Sequence, residues 1–398
     1  MLKKTTFPIE EVLTRGVAEI LPNTNGFAQR LEKGKIRLYL GIDPTGSFLH
    51  LGHSVVLRKL QQFAQLGHEV ILLIGNGTVR IGDPTGRDES RPVLTDEEIE
   101  KNFVNWKAQA SKILNFDLIT IKHNGDWLDK LNYAELIKLM AKTTVQQLME
   151  RDMFQERLKK GLPIHGHEIM YPLMQGYDSV AMDVDLEIGG TDQTFNMMMG
   201  RTLQKTYNNK EKWVLTTPII NGTDGRKMSK SFNNFVALTE TNLDMYGKLM
   251  RVADELIVEY FTLLTDIHQD EIDKIKKDLE QGKNPMEWKK ILAWEITRQY
   301  HDETAADEAQ KHFEATIQNK TLVDTAETAK KEDLVGKNAN EIVVLLTRES
   351  NSQARRLIEQ GAVSLLPDEI KLADIQAIPD LKNVAGIRIG KRRFYKLV

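Results

Sequence analysis

The sequence predicts an α/β protein: a doubly wound parallel sheet interrupted by a helical insertion, then a helical domain and a small C-terminal α+β unit. Three observations carry this. Short apolar runs that end in glycine- or proline-marked loops alternate with helical spacing up to about residue 125. From about 125 to 180 that alternation gives way to helical patterning alone. A polar, charged stretch at 321–338 then separates a last segment, 339–398, with its own strand and helix signals.

Taken in order, 36–42 (I-R-L-Y-L-G-I) alternates and runs into D-P-T-G, a strand entering a tight turn. The stretch 51–66 places Leu51, Val55, Leu57, Leu60 and Phe63 at helical intervals. An apolar run at 70–74 reads as a buried strand and 118–123 as another, so crossover helices should join parallel strands. Segment 213–220 is a further strand, and 240–318 is amphipathic helix with one proline, Pro285. The expected boundaries are 1–235 for the sheet domain, with the insertion at 125–180, then 236–320 helical, 321–338 linker and 339–398 the terminal unit.

With 398 residues the chain is long enough for two or three cores. It has no cysteine, which excludes disulfides, thiol catalysis and cysteine-bound zinc. The first ten residues lack an apolar signal segment and no apolar run is long enough to span a bilayer, so a cytoplasmic, membrane-free protein is expected. The net charge of −3 hides an asymmetry, because 341–398 carries ten basic against seven acidic residues. A basic tail on an acidic body suits local docking of a polyanion, or is simply a solvated surface.

Two basic clusters stand out. His50-Leu51-Gly52-His53 opens the 51–66 helix, and 221–231 reads N-G-T-D-G-R-K-M-S-K-S. A helix N-terminus offers free N–H groups to a phosphate, and the two imidazoles share one helical face. Lys227 and Lys230, on a glycine-flanked loop, suit a pyrophosphate whose charge grows during reaction. Each cluster alone has an ordinary reading, incidental histidines or a solvated basic loop. The familiar phosphate loops fail: G-x4-G at Gly41–Gly46 lacks its lysine, and Arg80 stands where a third glycine should follow Gly75 and Gly77. Tyr171, Gln175 and Asp178 share a helix face among apolar neighbours, a polar patch that asks for a ligand. His165 and His167 lack a completing ligand set and are read as loop or interface residues rather than a metal site.

Together the clusters resemble the signatures of class I aminoacyl-tRNA synthetases, and the chain from Tyr39 onward resembles the bacterial tyrosyl-tRNA synthetases. Y-L-G-I-D-P-T (39–45), G-D-P-T-G (82–86), Y-P-L-M-Q-G-Y-D (171–178) and G-G-T-D-Q (189–193) carry the likeness. The resemblance implies a Rossmann-like ATP-binding catalytic domain that activates L-tyrosine and transfers it to tRNA(Tyr). It assigns catalysis to His50, His53, Lys227 and Lys230. ATP falls to Gly41, Asp43, Thr45, Gly52, Gly190, Asp192, Met228, Ser229, Lys230 and Ser231, with Mg²⁺ on the nucleotide. Tyr39 and Asp178 would hold the substrate phenol; Asp83, Tyr171 and Gln175 its ammonium, with Thr78 and Gln193 nearby. Glu187 replaces a usual glutamine and Arg87 a usual lysine, which puts both contacts in question. The segment 350–363 resembles the ribosomal S-four type RNA-binding domain, with Arg355, Arg356, Lys391, Arg392 and Arg393 as tRNA contacts and Lys396 beside them. A homodimer formed through the insertion is a further implication. Two other classes share part of the pattern: a nucleotidyltransferase that makes a dinucleotide cofactor, and an idle synthetase-derived RNA-binding protein.

Overall fold

The computed structural model describes residues 7–46, 48–85, 94–226, 228, 232, 234–315, 327–366, 370–390 and 393–398. The chain divides into two compact units, Met1–Asp302 and Glu303–Val398.

In the first unit, β1 (Glu19–Leu21), β2 (Arg37–Ile42), β3 (Glu69–Ile74), β4 (Ile119–His123), β5 (Leu186–Gly190) and β6 (Trp213–Thr217) form one sheet. Its order is β1-β6-β5-β2-β3-β4, parallel throughout except for β1 against β6. The expected strands at 36–42, 70–74 and 118–123 are β2, β3 and β4. All of Val70–Ile74 is buried, which is why β3 reads as a continuous apolar run rather than an alternation. The run expected at 213–220 pairs only as far as Thr217. Two strands carried no clear signal: β1 is a three-residue edge, and β5 (L-E-I-G-G) holds a charge and two glycines yet is paired on both sides. The chain passes from β2 outward to β3 and β4, then returns to lay β5 on the other side of β2. That reversal opens a crevice beyond the carboxyl ends of β2 and β5.

The insertion is helical as expected, with Gly125–Leu128, Tyr133–Met140, Val145–Met149, Asp152–Lys159 and Gly166–Met182. Its last helix packs on helix Thr194–Asn208, which joins β5 to β6. A Cβ at Gly176 would stand 2.9 Å from Leu203 Cδ1 and 3.1 Å from the Gly200 nitrogen, so the two helices approach at a pair of glycines.

Residues 236–302 cluster with the sheet, and helix Glu303–Phe313 falls in the second unit, so the 236–320 segment is divided. A buried arginine explains part of this. Arg15 donates to the carbonyls of Phe261, Thr262, Thr265 and Ile267, satisfying the end of helix Ile257–Leu264. Buried Lys59, on the helix after β2, donates in turn to the carbonyls of Val12 and Arg15. The N-terminal turn, the sheet domain and the helical segment are thereby tied together.

In the second unit, β7 (Glu327–Ala329), β8 (Val363–Leu366), β9 (Ile370–Lys371), β10 (Gly386–Ile389) and β11 (Arg393–Leu397) pair in the order β7-β11-β10-β8-β9. Helices Ala339–Thr347 and Asn351–Glu359 close one core with them through Ile342, Val343, Ala354, Ile358 and Ile387. The stretch expected as linker at 321–338 is structured from Glu327 onward. There β7 pairs in parallel with β11, and Leu334 is buried soon after. Its polar composition hid an edge strand whose side chains are mostly exposed.

Gly176→Ala is expected to destabilise the first unit by about 1–3 kcal/mol through overpacking against backbone. An unchanged urea midpoint for that unit would refute the close-approach reading.

Candidate active site

His50 and His53 flank the first turn of helix Leu51–Gln65, and both are used structurally. His50 is the N-cap: its Nδ1 accepts from the Gly52 N–H at 3.1 Å, while Nδ1 of His53 accepts from the His50 N–H at 3.2 Å. The rings lie tilted at 41° with centroids 3.9 Å apart. With each Nδ1 an acceptor, a neutral ring carries its proton on Nε2, so both present N–H donors. Burial lowers His53 to about 4, keeping it neutral near pH 7. Gly52 also has a local structural reason. A Cβ there would sit 2.9 Å from the His50 ring.

The second cluster returns to the first. Leu51 N–H donates to the Val236 carbonyl, Leu238 N–H to that of Leu49, and His50 bridges Ala237. Met228 places its sulfur 3.5 Å from where a Gly52 Cβ would be. At the base of the loop, Asp224 accepts from Asn234 and Arg226, which hold its carboxyl at about 2. Lys227, Ser229, Lys230 and Ser231 lie outside the described residues, as does Arg87.

Beyond the ends of β2 and β5 lies a cavity of about 270 Å³. Gly41, Asp43, Thr45, His53, Thr78, Asp83, Tyr171, Gln175, Asp178, Gly190 and Gln193 all line it, together with Glu187. Its carboxylates are individually tethered. Asp43 accepts from Thr78 Oγ1 and from the Tyr171 hydroxyl, each at 2.8 Å. Asp178 accepts from Asn124 at 3.1 Å and Trp127 Nε1 at 2.8 Å. Asp83 accepts from Thr85 and from Gln193 Nε2, with Arg151 at 3.6 Å. Burial pushes Asp178 well above the usual carboxylate range, against the pull of Asn124 and Trp127. The same desolvation pushes the Tyr171 phenol up, reinforced by Asp43 and Asp83.

Two tyrosines are held by neighbouring side chains. Tyr39 is fully buried and shares a 3.0 Å hydrogen bond with Ser179 Oγ, the residue after Asp178, and its phenol is pushed up by burial and further by the nearby carboxylates of Glu187 and Asp178. Tyr171 donates its hydroxyl proton to Asp43, which leaves the phenolic oxygen as an acceptor for an ammonium. Asp192 borders an adjoining cleft with Thr191, Phe195 and Arg151. A Cβ on Gly190 would stand 2.6 Å from its carboxylate. His165 caps helix Gly166–Met182 with the His167 ring 5.7 Å away, and no group of metal-binding side chains occurs among the described residues.

Sequence reading missed Asn124, Trp127, Arg151 and Lys212. Asn124 directly follows β4, a position where parallel sheets place ligand groups, and this could have flagged it. Lys212 carried no signal: in N-N-K-E-K-W it looks like a turn lysine, yet it is fully buried against Glu187.

In the second unit Arg355 and Arg356 are exposed on helix Asn351–Glu359, whose other face buries Ala354 and Ile358. Arg393 pairs with Glu349 at 2.9 Å, which reduces its part in an open basic surface. Lys396 is exposed between buried Tyr395 and Leu397, and Lys391 and Arg392 lie outside the described residues.

The family described as tRNA synthetases class I (W and Y) matches residues 31–318. The chain is 43% identical, over 97% of its length and 96% of the relative's, to a tyrosine–tRNA ligase of Thermotoga maritima. To that of Carboxydothermus hydrogenoformans it is 44% identical, over 98% and 97%. Among solved structures, tyrosyl-tRNA synthetase of Archaeoglobus fulgidus complexed with L-tyrosine aligns with a TM-score of 0.61 at 20% identity, covering 75% of this chain and 98% of that one. No described helix is long and apolar enough to cross a membrane. Signature clusters, switch-point cavity and near-full-length relatives agree, and the chain belongs to the tyrosine–tRNA ligases of the class I tRNA synthetase family.

Proposed function

We propose that this chain joins L-tyrosine to tRNA(Tyr) in two steps at the switch-point cavity. A tyrosine carboxylate oxygen attacks the α-phosphorus of ATP; the bond to the β-phosphate oxygen breaks, leaving tyrosyl-adenylate and pyrophosphate. A terminal ribose hydroxyl of tRNA then attacks the carbonyl and AMP departs. No enzyme nucleophile is needed, so the protein's task is placement and charge stabilisation. The observation that carries the reading is a buried carboxyl, Asp178, at a cavity also lined by His53, whose ring lies against that of His50.

Asp178 takes the phenol, and its raised pKa suits sharing a proton with a hydroxyl. Phenylalanine would bury that carboxyl without the hydroxyl it is placed to meet, a cost of about 1–3 kcal/mol or more. Asp83 and Gln175 receive the ammonium, with Asp43 acting through Tyr171 and Thr78. Nε2–H of His50 and His53 would steady the α-phosphate, and Lys227 and Lys230 the leaving pyrophosphate. Asp192 would hold the ATP ribose, and Mg²⁺ would arrive on the nucleotide as part of the substrate. Residues 339–398 would bind tRNA through Arg355 and Arg356. A homodimer through the insertion is supported by exposed Tyr133, Ile137, Met140, Val145 and Leu158, a run of apolar side chains in three short helices. We place the work of this chain in the cytoplasm.

Three outcomes test this. Pyrophosphate exchange into ATP, run with each amino acid singly, should require tyrosine; exchange with none or with another sinks the reading. Asp178→Ala should raise KM for tyrosine on the order of a hundredfold, from loss of a charge-assisted bond; an unchanged KM removes Asp178 from the pocket. In sedimentation, Ile137→Glu should shift a wild-type dimer toward monomer, whereas a monomeric wild type discards the dimer.

His53 supplies a pH signature. Between about pH 4 and 6.5 the unfolded chain binds a proton at this imidazole that the folded chain does not. Stability should therefore rise with pH across that window and level off above it. His53→Asn should flatten that slope in urea titrations at pH 5 and 7; an equal slope contradicts a neutral His53.

A further inference from the structure

A buried ion pair lies behind the cavity wall. Lys212, fully buried just before β6, donates to Glu187 Oε2 and, at 3.0 Å, to the Met197 carbonyl. Glu187, on β5 and 1% exposed, uses its other oxygen, Oε1, to accept from Gln175 Nε2 at 2.9 Å. Space for this arrangement depends on Gly200. A Cβ there would lie 2.5 Å from Lys212 Nζ, 2.7 Å from Ser179 Oγ and 3.2 Å from Glu187 Oε2. The chain thus packs two helices at glycines over a charged pair rather than an apolar one.

Burying such a pair is not a general route to stability; apolar replacements of similar volume often do as well. What it does here is orient an amide. A glutamine side chain presents a donor on one side and an acceptor on the other, and its partner decides which faces which way. The proton shared between Glu187 and Lys212 lies on the Oε2 side, so Oε1 is a pure acceptor. Only the Gln175 NH₂ group can face it. The Gln175 carbonyl oxygen is then turned away from Glu187, toward the cavity that this residue lines. A cavity acceptor at that point suits an ammonium; a donor there would repel it.

We propose that Lys212 is a positioning residue for amino-acid recognition: by engaging Glu187 it fixes the Gln175 amide with its oxygen toward the substrate ammonium. The proposal rests on Gln175 as an ammonium-binding group, and it deepens the tyrosine reading. Without the lysine, Glu187 would be left in the protein interior without a cation and would take up a proton. A protonated carboxyl both donates and accepts, and the amide loses its single orientation. The hydrogen bonds that hold Asp178 for the phenol come from Asn124 and Trp127, not from Lys212.

The test compares equilibrium binding of L-tyrosine with that of des-amino-tyrosine, which keeps the phenol and carboxylate but lacks the ammonium. In Lys212→Met the preference for tyrosine should fall about tenfold or more, the loss of one hydrogen bond to a charged group, with des-amino-tyrosine affinity held. The double variant Glu187→Gln/Lys212→Met leaves no ion unpaired and protects the fold. Its preference should fall as well, because an amide at 187 accepts either orientation of Gln175. A folded single or double variant with the wild-type preference overturns the proposal. Gln175→Ala separates the two levels. If it loses the preference while Lys212→Met keeps it, only the role of Lys212 fails; if it too keeps the preference, the ammonium assignment falls and the proposal with it.

Discussion

Four carboxylates around one small cavity set the terms for everything near it. Asp43, Asp83, Asp178 and Glu187 all border the space beyond β2 and β5, and the last three are almost fully buried. Unpaired, they would repel one another and lose their solvation, a cost no small cavity could bear. Each therefore has its own donors: Thr78 and Tyr171, Thr85 and Gln193, Asn124 and Trp127, Lys212 and Gln175. The cavity keeps its negative character toward a cationic amino group while its walls stay satisfied.

That constraint reaches into the backbone. Gly75 follows β3 where a Cβ would lie 2.0 Å from the Asp43 carboxylate, and Gly200 leaves room for Lys212. Asn124 serves two sites at once, donating to both Thr78 and Asp178. Its own carbonyl oxygen accepts from the Gly77 N–H, which ties the loop after β3 to the end of β4. The imidazole pair follows the same economy. His50 and His53 spend Nδ1 on capping their helix, so one local structure positions both rings and fixes their neutral tautomer.

Much of this was legible in the residues. β2, β3 and β4 show through because their apolar runs are long and end in turn residues. The H-L-G-H cluster and the Tyr171–Asp178 face are local patterns read from spacing alone. What stayed hidden were features whose cause lies elsewhere in the chain. β5 is a strand because β2 and β6 pair with it on either side, against its own glycines. β7 is polar and exposed, and only β11 makes it a strand. Tyr39 sits in the expected strand, but which way its hydroxyl points was decided by Ser179 on a distant helix.

The sequence by itself determined the chemistry available: imidazoles at a helix start, a lysine-bearing loop, acidic and amide side chains at one helix face, and a basic tail. Such patterns span a few residues, so local periodicity and capping suffice to reveal them. Only the tertiary structure decided which partner each polar group takes. Trp127 on Asp178, Arg15 on a helix end and Lys212 on Glu187 all join segments that no short-range pattern connects. Burial removes the alternative of water, so the fold must choose the partner, and that choice turns a set of acidic side chains into an ordered binding site.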